Sequence, residues 1–168
     1  LIGPATAVGE ELLGIPDFAI PDFSEPLSQE KHILKNLKKV FLMIAGAGVQ
    51  KYGTELEEHQ QLLLAVADIL IEVYMAESAV LRAEKNIGVY GLEAQEHQVA
   101  LSQLYLYQAV EKISTKGREA ILGFAEGDEQ KALLMGLKRF TKYMEYPNVI
   151  ALRNKVAEKL TAENVYCF

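Results

Sequence analysis

The chain holds one cysteine and no tryptophan in 168 residues. A single thiol, Cys167, excludes an intramolecular disulfide framework and leaves the redox compartment open. A catalytic thiol needs a neighbouring base or positive charge to hold it as thiolate. The sequence around Cys167 supplies none. Proline is scarce and crowded: four of five (Pro4, Pro16, Pro21, Pro26) fall in the first 26 residues. Long apolar runs are missing too. The longest, residues 40–49, is about half of the ~20 residues a membrane-spanning helix requires, and no basic, apolar leader pattern is present. Positive charge is in deficit. Seventeen Lys and Arg face 23 Asp and Glu, for a net charge of −6 and a pI near 5.2. Such a chain has no general electrostatic reason to seek a phosphate backbone, so nucleic acid is not expected as a partner.

What is present describes a globular domain. Half of the residues are apolar and 24% are charged, a balance that buries a core. The length suits one ordinary domain. The first residue is Leu1 rather than Met, which suggests a processed chain or a piece of a longer one. Residues 1–27 read as a connector. A short helix within residues 1–14 would carry Val8 and Leu12, with Ile15, on one side. The doublet IPDF-A-IPDF then reads as irregular, because proline breaks helices and biases its predecessor toward extended backbone.

Residues 28–168 read as a helical bundle domain, so the expected fold class is all-α: an antiparallel up-down bundle of four-helix type. Ser28 suits an N-cap, with Glu30 in the first turn. Ile33, Leu37, Val40, Ile44 and Ala47 then repeat at helical spacing, predicting a helix over 28–57. Leu62, Val66, Ile69, Val73, Ala76, Val80, Ala83 and Ile87 step alternately by four and three, predicting a helix over 59–88. Leu63, Leu64, Leu70, Ile71, Tyr74, Met75 and Leu81 widen that apolar surface beyond one face, which predicts a central position for this helix. Gly88 or Gly91 suits its end. A third helix is predicted over 93–125, with Leu101, Leu104, Ala109, Ile113, Ile121 and Phe124 inward and Gly117 as a local weakness. Gly127 and Asp128 read as a stop and an N-cap. A fourth helix over 129–143 turns Leu133, Leu137 and Phe140 inward. A fifth, over 147–161, opens at Pro147 and buries Val149 or Ile150, Leu152 and Val156. The short connections favour antiparallel neighbours.

No catalytic, cofactor-binding or metal-binding residue is assigned from the sequence. Ala45-Gly46-Ala47-Gly48 follows an apolar run, as in a dinucleotide-binding turn, but Lys51 stands where that fingerprint needs a third small residue. The better reading is a helix surface that lets another helix approach closely. Glu55/His59 and Glu93/His97 are four apart and share helix faces. The helical di-iron signature spaces Glu and His by three, so these pairs read as surface residues. Asp68, Glu72, Glu77, Arg82 and Glu84 punctuate the apolar helix, and Glu72 and Glu77 are candidates for a general base. Interhelical pairing with Lys or Arg explains them better. Lys31, Lys35, Lys38 and Lys39 form a stripe that reads as a solvated face, with an anionic lipid or an acidic partner as the functional alternatives.

The run KYGTELEEHQQLLLAVADILIEVYMAESAVLRAEK, residues 51–85, resembles the region after the catalytic core in large acyl-CoA dehydrogenases of the very-long-chain type. Lys51-Tyr52-Gly53, Glu58, Gln60, the Ala67-Asp68 step and the stretch Ala76-Glu77-Ser78-Ala79-Val80-Leu81-Arg82 carry it. The opening LIGPATAVGEELLGIPDF is similar to the connector leaving that core in bacterial members, and the ending Val165-Tyr166-Cys167-Phe168 to theirs. The resemblance implies a C-terminal helical domain attached to an upstream core. That core would hold FAD and oxidise a fatty acyl-CoA to trans-2-enoyl-CoA. None of the core's flavin or proton-abstracting motifs occurs here, so no cofactor is expected in this chain. The resemblance further implies packing on the core, a homodimer, or peripheral membrane contact at the inner membrane, with the protein in the cytoplasm. A stand-alone helical scaffold or adaptor is the competing expectation. The surface proposed to meet a partner comprises Phe18, Ile20 and Phe23 of the connector with Tyr105 or Tyr107.

Overall fold

Apolar stripes at helical spacing, separated by glycine and proline punctuation, give six α-helices in the computed structural model, which describes residues 2–13 and 23–165. They are α1 (Ile2–Leu13), α2 (Ser28–Tyr52), α3 (Gln60–Tyr90), α4 (Glu96–Phe124), α5 (Gly127–Phe140) and α6 (Val149–Glu163). Among the described residues there is no strand. The all-α expectation holds. Ile15, Phe18, Ile20, Cys167 and most of the IPDF doublet lie outside the described residues.

Element boundaries depart from expectation where local backbone chemistry intervenes. The helix expected over 28–57 stops at Tyr52, because Gly53 takes φ +53°, a value that suits glycine. A 3-10 turn, Gly53–Glu58, carries the chain to α3. Ser28 does not N-cap α2. Leu27 occupies that position in left-handed backbone, and the Ser28 hydroxyl donates to the Glu25 carbonyl at 2.7 Å. Asp128 is not a cap either; it lies in the first turn of α5 and pairs with Lys131. Asn148, not Pro147, sets the start of α6: its side-chain oxygen accepts from the Ala151 amide. The end of α3 falls at Gly91, φ +82°, as expected.

Lateral contacts fix the topology. Lys31 pairs with Glu84 and Lys38 with Glu77, so α2 and α3 advance seven residues in opposite directions and are antiparallel. Glu72 with Lys112 and Asp68 with Lys116 show the same for α3 and α4. The core lies between α2, α3, α4 and α5. Its centre includes Leu37, Val40, Ile44, Ile69, Val80, Leu106, Ile113, Ile121 and Phe140. Leu101 and Leu104, expected inward, are only half-buried. Gly117 has a packing reason rather than being a defect. A Cβ there would meet Leu137 Cδ1 at 2.9 Å and Ile44 Cδ1 at 3.1 Å.

One expectation fails at the level of architecture. The most apolar helix, α3, was expected at the centre. It does touch two neighbours, α2 and α4, but its opposite side is bare. The hub is α4, which packs against α2, α3, α5 and α6. α1 lies along α2, which also meets α3, α4 and α5.

Candidate functional site

The small-residue stretch is helical and packed. Gly46 and Gly48 sit inside the C-terminal half of α2, with the backbone in helical hydrogen bonds. A Cβ on Gly46 would stand 2.5 Å from the Ala5 Cβ, and one on Gly48 would stand 2.9 Å from Leu62 Cδ2. These glycines therefore seat α1 and α3 against α2 and offer no free amides to a phosphate.

The candidate bases are engaged. Glu72 accepts from Lys112 Nζ at 2.7 Å and from the Tyr105 hydroxyl at 3.3 Å. Burial pushes the Tyr105 pKa up, with the Glu72 charge adding to it, and the Glu72 hydrogen bond raises that of Lys112. Glu77 pairs with Lys38 and Glu84 with Lys31. These are the interhelical pairs expected for the carboxylates. They also correct the reading of the lysine stripe. Lys31 and Lys38 clamp α3, and Lys39 reaches Glu11 of α1 at 2.5 Å, so three of the four stitch helices together rather than face solvent alone.

The carboxylate–histidine pairs do not converge. Glu55 lies in the 3-10 turn, while His59 stacks on the Tyr52 ring with centroids 3.4 Å apart. His97 has its neighbour Glu96 3.9 Å away, and Glu96 is paired with Lys155 of α6 at 2.6 Å. Among the described residues no three His, Cys, Asp or Glu side chains group as metal ligands. His59, Asp68, Lys116 and Glu119 do line an open cleft of about 640 Å³ at the α3–α4 end. Lys116 is bridged there between Asp68 at 3.9 Å and Glu119 at 3.3 Å.

Two polar features escaped sequence reasoning. Glu30, read as a first-turn carboxylate, is 7% exposed and accepts from Gln103 Nε2 at 2.7 Å. Tyr143, 3% exposed, has a buried hydroxyl without a hydrogen-bond partner. Burial, chiefly, and then the Glu30 charge push its pKa well above the ordinary tyrosine value. No local pattern flags either, because both are buried by α-helical segments more than seventy residues away or by the α5–α6 turn.

The surface feature that stands out is the outer side of α3. Leu64, Leu70, Ile71, Tyr74, Met75 and Leu81 are all exposed, Tyr74 by 68%. Contiguous apolar patches of this kind mark interfaces. Of the surface expected to meet a partner, Phe18 and Ile20 lie outside the described residues; Phe23 is half-buried against His32, Tyr105 is bonded to Glu72, and Tyr107 packs toward Tyr143.

The described residues form an all-α bundle whose α3 carboxylates are ion-paired and whose α3 helix exposes an apolar face. The family model described as "Acyl-CoA dehydrogenase, C-terminal domain" matches residues 36–139, and the chain belongs to that family. A curated relative, a "Probable acyl-CoA dehydrogenase" of Bacillus subtilis (strain 168), is 37% identical over 131 residues, covering 78% of this chain and 22% of its own length. The crystal structure of an acyl-CoA dehydrogenase complexed with FAD from Bacillus anthracis superposes with a TM-score of 0.88 at 33% identity. That match covers 98% of this chain and 27% of the other. The chain thus spans about a quarter of the length of the relatives it matches.

Proposed function

We propose that this chain is a non-catalytic C-terminal domain of an FAD-dependent acyl-CoA dehydrogenase. The parent enzyme would take a fatty acyl-CoA to trans-2-enoyl-CoA in fatty acid β-oxidation, in the cytoplasm. The observation that carries the reading is the 98% coverage of this chain by about a quarter of an FAD-bound acyl-CoA dehydrogenase. The domain's own work in this reading is mechanical: it packs on the upstream core and brings subunits together.

The glycine-rich stretch and the carboxylates of α3 speak against a flavin in this chain. A pyrophosphate is held by free backbone amides at a glycine-rich turn or helix N-terminus. Here the glycine-rich stretch is inside α2, and its small faces are filled by Ala5 and Leu62. Glu72 and Glu77, the carboxylates that a proton abstraction next to a thioester would call on, are tied to Lys112 and Lys38. The proposal therefore places flavin and chemistry in the part of the relatives that this chain does not span. The test is to purify the 168-residue chain with added FAD and record the flavin spectrum and acyl-CoA-dependent dye reduction. The expected result is neither bound flavin nor turnover. A stoichiometric flavin spectrum, or turnover lost in Glu77→Gln, overturns the non-catalytic reading.

A further inference from the structure

Tyr143 carries a hydroxyl that destabilises the fold as it stands. The residue is 3% exposed, and the hydroxyl has no hydrogen-bond partner. A buried polar atom in that state calls for an explanation. The side chain lines a pocket of about 320 Å³ between the start of α2, α4 and the turn into α6. Glu30, 7% exposed, lines the same pocket. After burial, its charge is the next cause that pushes the Tyr143 pKa up. The hydroxyl and the carboxylate are thus neighbours, yet no hydrogen bond joins them. The partner Glu30 does have is a neutral amide, Gln103 Nε2 at 2.7 Å. A buried carboxylate without a cation is destabilising. The lysine that lines the pocket, Lys155, is committed elsewhere, with its Nζ 2.6 Å from Glu96.

The walls are held in place. The Gln29 side-chain amide grips the turn, donating to the Glu145 carbonyl and accepting from the Glu145 N–H, each at 3.2 Å. Asn148 caps α6 just beyond it. The Tyr143 and Tyr146 ring centroids lie 5.4 Å apart, and Leu106 and Leu152 add apolar surface. A volume of this size is at the lower end for a small-molecule site. A carboxylate, an unpartnered hydroxyl oxygen and aromatic rings suit one kind of group: a cation with N–H donors and a short apolar stem. An anion would be repelled by Glu30, and a neutral alcohol would leave its charge unpaired. A primary ammonium can donate to Glu30 and to the Tyr143 oxygen at once, with its charge and methylenes against the rings. We infer that this pocket binds a primary alkylammonium group, the chemistry of a lysine side chain or of a small free amine, with Glu30 as counter-ion and Tyr143 as second acceptor.

Neither flavin nor turnover enters the test. Backbone amide NMR spectra of the 168-residue chain are recorded as n-butylammonium chloride is added at constant ionic strength, which holds generic charge screening fixed. Saturable shifts should appear at Gln29, Glu30, Gln103 and Glu145, with a dissociation constant on the order of 1 mM, as so small a ligand allows. Glu30→Gln keeps the shape and the acceptor for Gln103, and should weaken binding about tenfold or more through loss of the charge. Tyr143→Phe should weaken it about three- to tenfold while the melting temperature holds or rises. A merely structural role for the hydroxyl does not give that split. Tetramethylammonium, a cation without donors, should bind about tenfold more weakly or worse, and n-butanol should not bind. This probe series needs no variant, so it decides the matter even if Glu30→Gln disturbs the fold. Nα-acetyl-lysine methylamide separates the sources: binding tighter than n-butylammonium assigns the group to a protein side chain, and weaker binding assigns it to a free amine. The inference is overturned by the absence of a saturable shift, by shifts scattered over exposed carboxylates, or by tetramethylammonium binding as well as n-butylammonium. An affinity untouched by Glu30→Gln or by Tyr143→Phe overturns it too.

Discussion

α3 and α4 are nearly equal in length, 31 and 29 residues, and lie side by side in opposite directions. α3 is visibly the more apolar, yet only six of its residues are buried, against eleven in α4. The burial of a helix is set by how many neighbours surround it, not by how much it has to bury. α4 has helices on several sides and spends its few apolar residues on all of them. α3 has neighbours on one side and carries a second apolar face besides. A monomer gains nothing from that second face, and exposed apolar patches of this kind support the docking role proposed above.

The sharpest break of this comparison is a pair of aspartates on α3. Val73 is 3% exposed, and Val73→Asp should cost about 3–5 kcal/mol and lower the melting temperature by many degrees. Ile71→Asp, two residues away on the bare face, should leave the melting temperature of the chain almost unchanged, since Ile71 is 58% exposed. Equal losses would show that both faces are enclosed. Across to α4, Leu106 is fully buried, and Leu106→Ala should cost about 2–5 kcal/mol by urea unfolding. Leu81→Ala on α3 should cost under about 0.5 kcal/mol in the same assay.

Smaller effects sharpen the same picture around the helices that enclose α4. Tyr143→Phe removes a buried hydroxyl that has no partner. It should be neutral or stabilise by about 1 kcal/mol, whereas losing a bonded hydroxyl would destabilise. His32 gives a pH signature at the exposed edge of α2. Burial first, then the charges of Lys39 and Lys35, hold its pKa below the usual 6.5. The folded state thus resists protonation that the unfolded chain accepts. Stability should be full above pH 6.5 and fall slightly as the pH drops through the window below it. His32→Asn should flatten that slope in denaturant titrations at pH 5 to 7. A slope that persists would place its origin in other groups.

Most of the elements were legible because their signals are local. The alternating four-three stripe of α3 places Ile69, Val73, Ala76, Val80 and Ala83 in the core, where they are found. Leu133, Leu137 and Phe140 are buried in α5 as their spacing requires. The small surface at Gly46 and Gly48 does receive neighbouring helices. Errors concentrate at ends. Tyr52, Leu27 and Asn148 set boundaries through backbone conformation and a single cap, where Glu57, Ser28 and Pro147 had equal or better local claims. Of the candidate surface, Phe18 and Ile20 lie outside the described residues, while Tyr105 and Tyr107 are half-buried because Glu72 and Tyr143 reach them from distant segments.

The sequence by itself determined the helical class, the run of stripes and the kinship to a dehydrogenase C-terminal domain, because periodicity and motif similarity are properties of short stretches of chain. Only the tertiary structure decided which apolar face of α3 turns outward. Which of two apolar faces a helix buries depends on where α2 and α4 lie, and they are placed by pairs such as Lys38–Glu77 and Glu72–Lys112 and by close contacts such as Gly117 with Leu137. Those contacts join residues twenty to forty apart. No local pattern encodes them, and packing density admits one arrangement that satisfies them together.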